Sequence, residues 1–170
     1  MSVFFQHLQQ QFQVLETATN RDARRLFHGR GRVYAGHEQV AVDWYSPVIW
    51  ITFFKAQSSD LQTEQYEQQI LDQVIELVNA SPAAQIEAVM VQRRYLHNAP
   101  SACVFGQMPD IMFAYRGDAK YTVQLGGRQN TGFFLDMEPG RQWLESLAAG
   151  RRVLNLFSYT CAFSVVAQMA

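Results

Sequence analysis

The last stretch of the chain, Arg152-Val-Leu-Asn-Leu-Phe-Ser-Tyr-Thr-Cys-Ala-Phe-Ser-Val-Val-Ala-Gln-Met-Ala170, decides the fold that we expect for its C-terminal part. Its apolar run over residues 153–157 is typical of a buried strand, and small residues then lead into an apolar helix. A strand, a tight turn and a helix in this order open a parallel α/β nucleotide-binding domain. Because the sequence stops there, we expect this domain to be incomplete.

The first 126 residues have a different pattern, in which helical and strand periodicities alternate. The expected elements are a helix over 3–18 with Ser2 as its N-cap, strands near Val33, over 39–45 and over 48–54, a helix from 58–60 to about 79, a strand over 86–91, a loop with Pro100 and Pro109, and a hairpin of 111–115 and 121–125. We therefore predict an α+β domain with a mostly antiparallel sheet over residues 1–126. Residues 127–170 are predicted to be the opening helix, strand and helix of a Rossmann-like domain.

The helix that opens this second region is expected directly after Asp136. The Asp136 side chain is a suitable N-cap, Pro139 suits the first turn, and Gly150 suits the end of the helix. Its predicted apolar stripe consists of Trp143, Leu144 and Leu147.

Composition limits the classes of function. The chain is 48% hydrophobic, enough for a core, and its formal net charge of -1 argues against bulk attraction to nucleic acid or to an anionic membrane. All but two of its 14 basic residues are arginine, which favours local phosphate contacts. Two cysteines without metal or disulfide spacing, no signal peptide and no membrane-length apolar run predict a cytoplasmic protein with no metal site and no membrane partner.

The turn over residues 158–162 is a candidate ligand site on physical grounds. The first N–H groups of a helix have no partner within the helix, and small residues let a ligand approach the backbone. This turn lacks the glycines of a dinucleotide fingerprint, which makes an oxidoreductase fragment improbable. By spacing alone, an ordinary strand-to-helix turn remains the alternative.

Two motifs carry a resemblance to a known family. They are Asn130-Thr-Gly-Phe-Phe-Leu-Asp136 and Arg152-Val-Leu-Asn-Leu-Phe-Ser-Tyr-Thr-Cys-Ala-Phe-Ser164. The pair resembles the paired motifs of class I S-adenosylmethionine-dependent methyltransferases, and in particular those of the ribosomal RNA cytosine-5 methyltransferase-like proteins. Residues 23–32 and 91–96 are similar to the uncharacterised bacterial branch of this family. Two motifs in the right order are more specific than either alone.

The resemblance implies S-adenosylmethionine as the cofactor, bound between the two motifs. The implied cofactor-binding residues are Gln129, Asn130, Thr131, Gly132 and Phe133 in a flap, Asp136, and Asn155, Phe157, Ser158, Tyr159, Thr160, Cys161 and Ala162 in the second motif. Asp136 suits the cationic amino group of the cofactor because a charge-assisted hydrogen bond is strong where water is excluded. A role of Asp136 as a helix cap only is the alternative, and the sequence leaves it open.

The sequence also departs from the family pattern. Cys161 occupies a position where much of the family has glycine, and we expect it to be a small buried thiol rather than a nucleophile. The family's acidic residue after the second strand and its Asp-Pro-Pro-type loop are absent from the sequence. We therefore name no catalytic residue in this chain and expect the chain alone to be inactive.

A basic segment near the N-terminus is the candidate contact with RNA. Its proposed nucleic-acid-binding residues are Arg24, Arg25, His28, Arg30 and Arg32. Phe27 or Tyr34 could stack on an exposed base. The alternative is a solvated turn whose arginines pair with Asp22, Glu38 or Asp43. Residues 93–95, Arg-Arg-Tyr, form a second, weaker patch.

These observations favour the front portion of an RNA methyltransferase. The alternative is a non-catalytic RNA- or protein-binding α+β module with a remnant tail. A lone parallel strand with apolar flanks cannot bury both of its faces. We therefore expect the C-terminal segment to form a homodimer, to fold back on the N-terminal domain, or to stay mobile.

Overall fold

A computed structural model describes residues 2–126, 130–156 and 158–170 of the chain. Its helices are α1 (Val3–Thr17), α2 (Asp60–Ala80), α3 (Glu138–Ala148) and α4 (Ala162–Met169). Its strands are β1 (Arg24–His28), β2 (Val40–Tyr45), β3 (Val48–Phe53), β4 (Ala88–Arg93), β5 (Ser101–Gly106), β6 (Met112–Arg116) and β7 (Ala119–Val123).

The strands form a five-stranded sheet in the order β1-β2-β3-β4-β5 and a separate hairpin of β6 and β7. Within the larger sheet, β3 and β4 are parallel, because α2 carries the chain back across the sheet between them, and the other neighbours are antiparallel. The predicted α+β class with a mostly antiparallel sheet is confirmed.

The sheet is covered on both faces. Helices α1 and α2 pack on one face through an apolar core that includes Phe4, Leu8 and Val74. The β6–β7 hairpin packs on the other face, where Tyr45 and Trp50 meet Phe133. This double cover explains why all six residues of β2 and all six of β3 are buried, although β2 alternates in sequence.

A serine caps each of the two long helices, as predicted for Ser2 and consistent with the predicted start of the second helix at 58–60. The Ser2 hydroxyl accepts a hydrogen bond from the Phe5 amide at 3.1 Å at the start of α1. The Ser59 hydroxyl does the same for the Gln62 amide at 3.2 Å at the start of α2. Each bond satisfies one of the unpaired amides of a first helical turn, which is why serine marks both boundaries.

Two strand predictions were wrong. The strand expected near Val33 does not form there, and the Val33 side chain is 76% exposed. The strand instead lies earlier, at β1, where a bulge between Arg25 and Phe27 buries both Leu26 and Phe27 and so hides the alternation. Strand β5 lies within the predicted loop; it is a short edge strand after Pro100, and although residues 102–105 are apolar, none of its six residues is buried.

Three expectations for the C-terminal region also need correction. The strand predicted over 153–157 is absent over the described residues 153–156, because no neighbouring strand is there to pair with it. Asp136 does not cap α3. It lies in a 3₁₀ turn, Leu135–Met137, and Met137 occupies the N-cap without a side-chain hydrogen bond. The helix buries Arg141 and Ala148 instead of the predicted stripe, and Trp143 is 67% exposed.

The C-terminal helix folds back on the rest of the chain, which is one of the three outcomes expected for this segment. Val166 is fully enclosed, and Ala162 and Val165 pack against the core beneath the hairpin. The Tyr121 hydroxyl donates to the carbonyl of Ala162 at 3.5 Å. Leu154 remains 82% exposed in the preceding segment.

Candidate functional site

The two sequence motifs meet in the structure. The Thr160 hydroxyl donates to the carbonyl of Gly132 at 2.6 Å, and the rings of Phe134 and Tyr159 lie 5.5 Å apart. The proposed residues Gln129 and Phe157 lie outside the described part of the chain. The flap and the turn before α4 are therefore joined by the Thr160–Gly132 hydrogen bond and by the Phe134–Tyr159 ring contact.

The flap is held on the sheet by a buried tyrosine. The Tyr45 hydroxyl donates to the carbonyl of Phe133 at 3.1 Å and lies 3.3 Å from the Thr131 hydroxyl. Burial raises the pKa of Tyr45 well above its usual value, with a further rise from the nearby Asp43 charge. The hydroxyl therefore keeps its proton and remains a donor, so that β2 fixes the flap's position.

The other side of the flap rests on an arginine that the sequence analysis did not select. The Phe133 ring is 4.8 Å from that of Tyr121 and 4.3 Å from the guanidinium carbon of Arg141. Arg141 is 1% exposed, and its Nε donates to Glu138 at 2.9 Å. Its Nη2 has no hydrogen-bond partner among the residues that the structure describes. The available signal was its helical spacing from Leu144 and Ala148, which places it on the inner face of α3.

The turn before α4 has the backbone of a ligand loop. Tyr159 and Cys161 have positive φ values of 48° and 61°, a conformation that glycine adopts with the least strain. Contrary to our expectation of a buried thiol, Cys161 is exposed. Helix α4 has no side-chain cap, so its first amides are open to a ligand.

A groove of about 360 Å³ lies beside this turn, and we call it the α4 groove. Its lining residues are Arg151, Val153, Asn155, Ser158, Cys161, Ser164, Ala167 and Gln168. The Asn155 amide donates to the Ser164 hydroxyl at 2.9 Å, which fixes the groove's floor. Open amides, hydroxyls and a cation suit the carboxylate end of S-adenosylmethionine, so this donor set fits that part of the implied cofactor.

A larger cavity of about 460 Å³ lies between the sheet and the flap, and we call it the arginine cavity. Its lining residues are Arg25, His28, Arg30, Asp43, Tyr45, Trp50, Thr52, Phe54, Arg94, Asn130, Thr131, Phe133, Phe134, Leu135 and Asp136. The cavity thus brings three of the five proposed RNA-binding residues together with four of the proposed cofactor residues.

The remaining two proposed RNA-binding residues lie outside this cavity. Arg24 donates to the carbonyl of Asp22 and to the Asn20 side chain, the latter at 2.7 Å. Arg32 is exposed and has a left-handed backbone at the end of a 3₁₀ turn. Asp136 also departs from its expected setting, because it lines the arginine cavity and not the α4 groove.

The charges in the arginine cavity are unequal. Arg25 donates to the buried carboxylate of Asp43 at 2.8 Å. Burial raises the pKa of Asp43, while Arg25 limits the rise, and the paired carboxylate raises the pKa of Arg25 despite the opposing effect of that residue's own burial. Desolvation and then the charge of Arg25 lower the pKa of His28. The cavity therefore brings three arginines together with His28 and two acidic side chains, Asp43 and Asp136.

Sequence reasoning missed half of this cavity. Tyr45, Thr52 and Phe54 face it from β2 and the end of β3, and Arg94 follows β4. The available signal was the same-face spacing of Trp50, Thr52 and Phe54 on one strand. Arg94 lies in the residue 93–95 patch that the sequence analysis rated the weaker of the two.

The alternative for the basic segment is that its arginines pair with nearby carboxylates, and this pairing occurs at Arg25. Of the arginines in residues 21–32, Arg25 forms an ion pair with a carboxylate within the described residues, and no other does. The same part of the chain contains no group of three or more His, Cys, Asp and Glu side chains arranged to hold a metal ion. It also contains no helix with both the length and the apolar character that crossing a bilayer requires.

Comparison with known proteins agrees with this geometry. The chain is 30% identical over 175 residues to ribosomal RNA large subunit methyltransferase K/L of Dichelobacter nodosus, covering 98% of this chain and 23% of that protein. It is 28% identical over 134 residues to ribosomal RNA large subunit methyltransferase I of Vibrio vulnificus, covering 78% of this chain and 32% of that protein. The chain thus spans less than a third of the length of these curated relatives.

Solved structures show a similar fold. A Streptococcus mutans protein assigned as an S-adenosylmethionine-dependent methyltransferase superposes with a TM-score of 0.71 at 27% identity, covering 99% of this chain and 43% of that one. A protein assigned as a methyltransferase and solved in complex with SAH gives 0.72 at 28% identity, covering 98% and 40%. A family model described as S-adenosylmethionine-dependent methyltransferase matches residues 24–170. The chain therefore belongs to the S-adenosylmethionine-dependent methyltransferase family.

Proposed function

We propose that the protein transfers the methyl group of S-adenosylmethionine to large-subunit ribosomal RNA. The observation that carries the proposal is the 2.6 Å contact of Thr160 with Gly132, which joins the two motifs beside a cavity rich in arginine. The family match supports the cofactor, and the names of the relatives support the RNA class.

The cofactor proposal assigns a role to each part of the two motifs. The open amides of α4, with Ser158 and Asn155, would hold the carboxylate end of the cofactor. The flap around Gly132 would cover the cofactor and exclude water. When bound, S-adenosylmethionine supplies an electrophilic methyl group, and these residues act by aligning it and by keeping the site dry.

The role of Asp136 in cofactor binding stays a prediction that rests on the motif alone. In the structure its carboxylate belongs to the arginine cavity, and it contributes to the raised pKa of Arg25. Asp136→Asn separates the two roles. If Asp136 contacts the cofactor, the variant should bind S-adenosylmethionine more weakly. If Asp136 only lines the arginine cavity, the variant should bind the cofactor as the wild type does and should bind RNA more tightly, because a charge that repels RNA is removed.

The finer parts of the proposal rest on the sequence. The motifs resemble those of ribosomal RNA cytosine-5 methyltransferase-like proteins, and membership of that subfamily is the finer assignment; the motifs themselves identify no methylated atom, and the names of the relatives state the ribosomal RNA and no atom. The division into an accessory domain over residues 1–126 and a cofactor domain from residue 127 stays a prediction, as does a cytoplasmic location.

A homodimer through the C-terminal segment also stays a prediction. Leu154 and Leu156 are 82% and 68% exposed, and a dimer would cover them. Sedimentation equilibrium on the wild type and on Leu154→Glu checks this. A concentration-dependent dimer that the charged variant abolishes would support the interface, and a wild-type monomer at all concentrations would contradict it.

Methyl transfer itself is tested with the protein expressed from its complete gene. Tritiated S-adenosylmethionine is incubated with deproteinised large-subunit RNA, with small-subunit RNA as the control substrate, and labelled nucleosides are separated by mass. We expect label in the large-subunit RNA, and in 5-methylcytidine if the finer assignment is correct. Label in another nucleoside of that RNA would refute only the finer assignment, while no label in either RNA would contradict the proposed function.

A further inference from the structure

The arginine cavity has a composition that the proposed cofactor does not explain. Three guanidinium groups face two carboxylates there, so the cavity carries excess positive charge. S-adenosylmethionine brings a sulfonium and an ammonium group against a single carboxylate and is therefore itself cationic. The cavity repels such a ligand and favours an anionic one. The α4 groove therefore suits the cofactor, whereas the arginine cavity beneath the flap suits an anionic ligand.

The cavity also offers a stacking surface. The guanidinium carbon of Arg30 lies 4.5 Å from the centre of the Phe54 ring, and that of Arg94 lies 5.3 Å from the same ring. Arg30 is exposed and forms no ion pair with any described carboxylate. The Arg30 guanidinium thus lies over the Phe54 ring, and an arginine plane supported by an aromatic ring is a surface on which an unpaired nucleic-acid base stacks.

The arginine cavity is also lined by side chains that can form hydrogen bonds. Asp43 is buried and paired with Arg25, Thr52 is buried on β3, and Asn130 is exposed on the flap. A base edge needs polar groups of this kind at fixed positions, because an unmatched buried polar group is costly. The volume of about 460 Å³ lies within the range of small-ligand cavities and is too small for a paired helix.

We infer that the arginine cavity receives one unstacked nucleotide of the RNA substrate, with its base on the Arg30–Phe54 surface and its phosphate near Arg30 and Arg94. The flap then lies against the nucleotide, and its contact with Thr160 links this cavity to the turn before α4, which lines the cofactor groove. An enzyme that modifies a base takes that base out of its helical stack, so a cavity for a single nucleotide next to the cofactor is the required arrangement. This inference rests on the proposed function for the identity of the partner.

The test measures binding of a short, fluorescein-labelled single-stranded RNA by anisotropy. Arg30→Gln removes one charge from the cavity, and Phe54→Leu removes the ring without a change of charge. Lys55→Gln is the matched control, because Lys55 is an exposed cation adjacent in sequence that does not line the cavity. We expect both cavity variants to weaken binding by about tenfold and the control by less than about threefold. Arg30→Gln should also reduce the slope of log K against log salt by about 0.7, since one phosphate contact is lost.

Competition experiments identify the occupant. Cytidine monophosphate should displace the labelled RNA from the wild type, whereas cytidine and inorganic phosphate should do so only at much higher concentration. A duplex of the same sequence should bind more weakly than the single strand. Equal losses in Arg30→Gln and Lys55→Gln, or equal binding of duplex and single strand, would overturn the inference in favour of diffuse electrostatic attraction.

Cofactor binding, measured by calorimetry on the same variants, keeps the two proposals apart. The Arg30 side chain is exposed, so we expect Arg30→Gln to fold and to keep its affinity for S-adenosylmethionine. If ribosomal RNA is methylated equally well by the wild type, Arg30→Gln and Phe54→Leu, the nucleotide cavity is refuted and the proposed function stands. If RNA binding behaves as predicted but S-adenosylmethionine does not bind, the proposed function fails and the cavity stands.

Discussion

Substitution of Arg141 separates the contribution of its charge from that of its volume. The side chain is 1% exposed beneath the flap, with its guanidinium carbon 4.3 Å from the Phe133 ring centre. Its Nε donates to Glu138, but its Nη2 has no hydrogen-bond partner within the described residues. One end of the guanidinium therefore stabilises the fold, while the other end is buried without compensation.

These terms oppose each other in Arg141→Met. The variant loses a cation–π contact worth about 1 kcal/mol. It also loses the ion pair with Glu138. This loss costs only about 1 kcal/mol, because Glu138 keeps its contact with Arg116 at 2.9 Å and is not left unpaired. Removal of the unsatisfied Nη2 stabilises the folded state by about 1–3 kcal/mol. We therefore expect Arg141→Met to lie within about 1 kcal/mol of the wild type.

Arg141→Ala removes the same polar groups and also leaves a cavity under Phe133. Truncation of a large buried side chain costs about 3 kcal/mol. Urea denaturation followed by circular dichroism measures both variants, with the slope of each transition as the check that unfolding remains two-state. If Arg141→Met is as unstable as Arg141→Ala, the guanidinium charge and not its volume stabilises the flap, and the reasoning is refuted.

Two further predictions concern pH and backbone conformation. Burial lowers the pKa of His37, whose Nδ1 lies 3.2 Å from the Tyr66 hydroxyl, so its contribution to stability is present above the unfolded pKa of about 6.5 and is lost as the pH falls below it. The melting temperature should therefore fall less in His37→Gln than in the wild type between about pH 7 and pH 5, and equal falls would contradict this. Gly106 has a φ of 67°, and an added Cβ would collide with the carbonyl of Glu87. Gly106→Ala should lower the free energy of unfolding by more than about 2 kcal/mol, whereas Gly117→Ala, with a φ of 51° and open space around it, should cost about 1 kcal/mol. Equal costs would exclude the collision as the cause.

The elements that the sequence predicted well are those whose signals are local. Ser2 and Ser59 each cap the helix that follows, and the hairpin of β6 and β7 surrounds the predicted turn at Gly117. Both signals act within a few residues. A capping hydroxyl bonds an amide three residues later, and a glycine permits a tight turn at its own position. Such signals can be seen without knowledge of the rest of the fold.

The errors arose where distant contacts decide the structure. The apolar run over 153–156 has high strand propensity, but a strand requires a hydrogen-bonding neighbour, and none of the strands in the described part of the chain lies beside it. Strand β5 shows the reverse case, because pairing with β4 makes a strand from a short segment that Pro100 and Pro109 mark as a loop. Trp143 was expected to be buried because it is large and apolar, yet the packed face of α3 is the one that carries Arg141.

The site was predicted in part for the same reason. The motif resemblance selected Gly132 and Thr160, which the structure brings into contact. The arginine cavity could not be predicted as a whole, because Arg30, Phe54 and Arg94 come from three separated segments that the order of the sheet brings together. The register of β3 and β4 is not visible in the sequence of either strand alone.

The most direct test of the central claim, that the two motifs together bind S-adenosylmethionine, is a calorimetric titration with that cofactor. The comparison is between the wild type and Thr160→Val, which keeps the shape of the side chain but removes the donor to Gly132. Thr17→Val is the control, because its hydroxyl bonds within α1 and is remote from the site. We expect binding by the wild type, unchanged binding by the control, and an affinity about fivefold lower in Thr160→Val, the result of losing one hydrogen bond of about 1 kcal/mol. No binding by the wild type, or equal affinities in all three proteins, would contradict it.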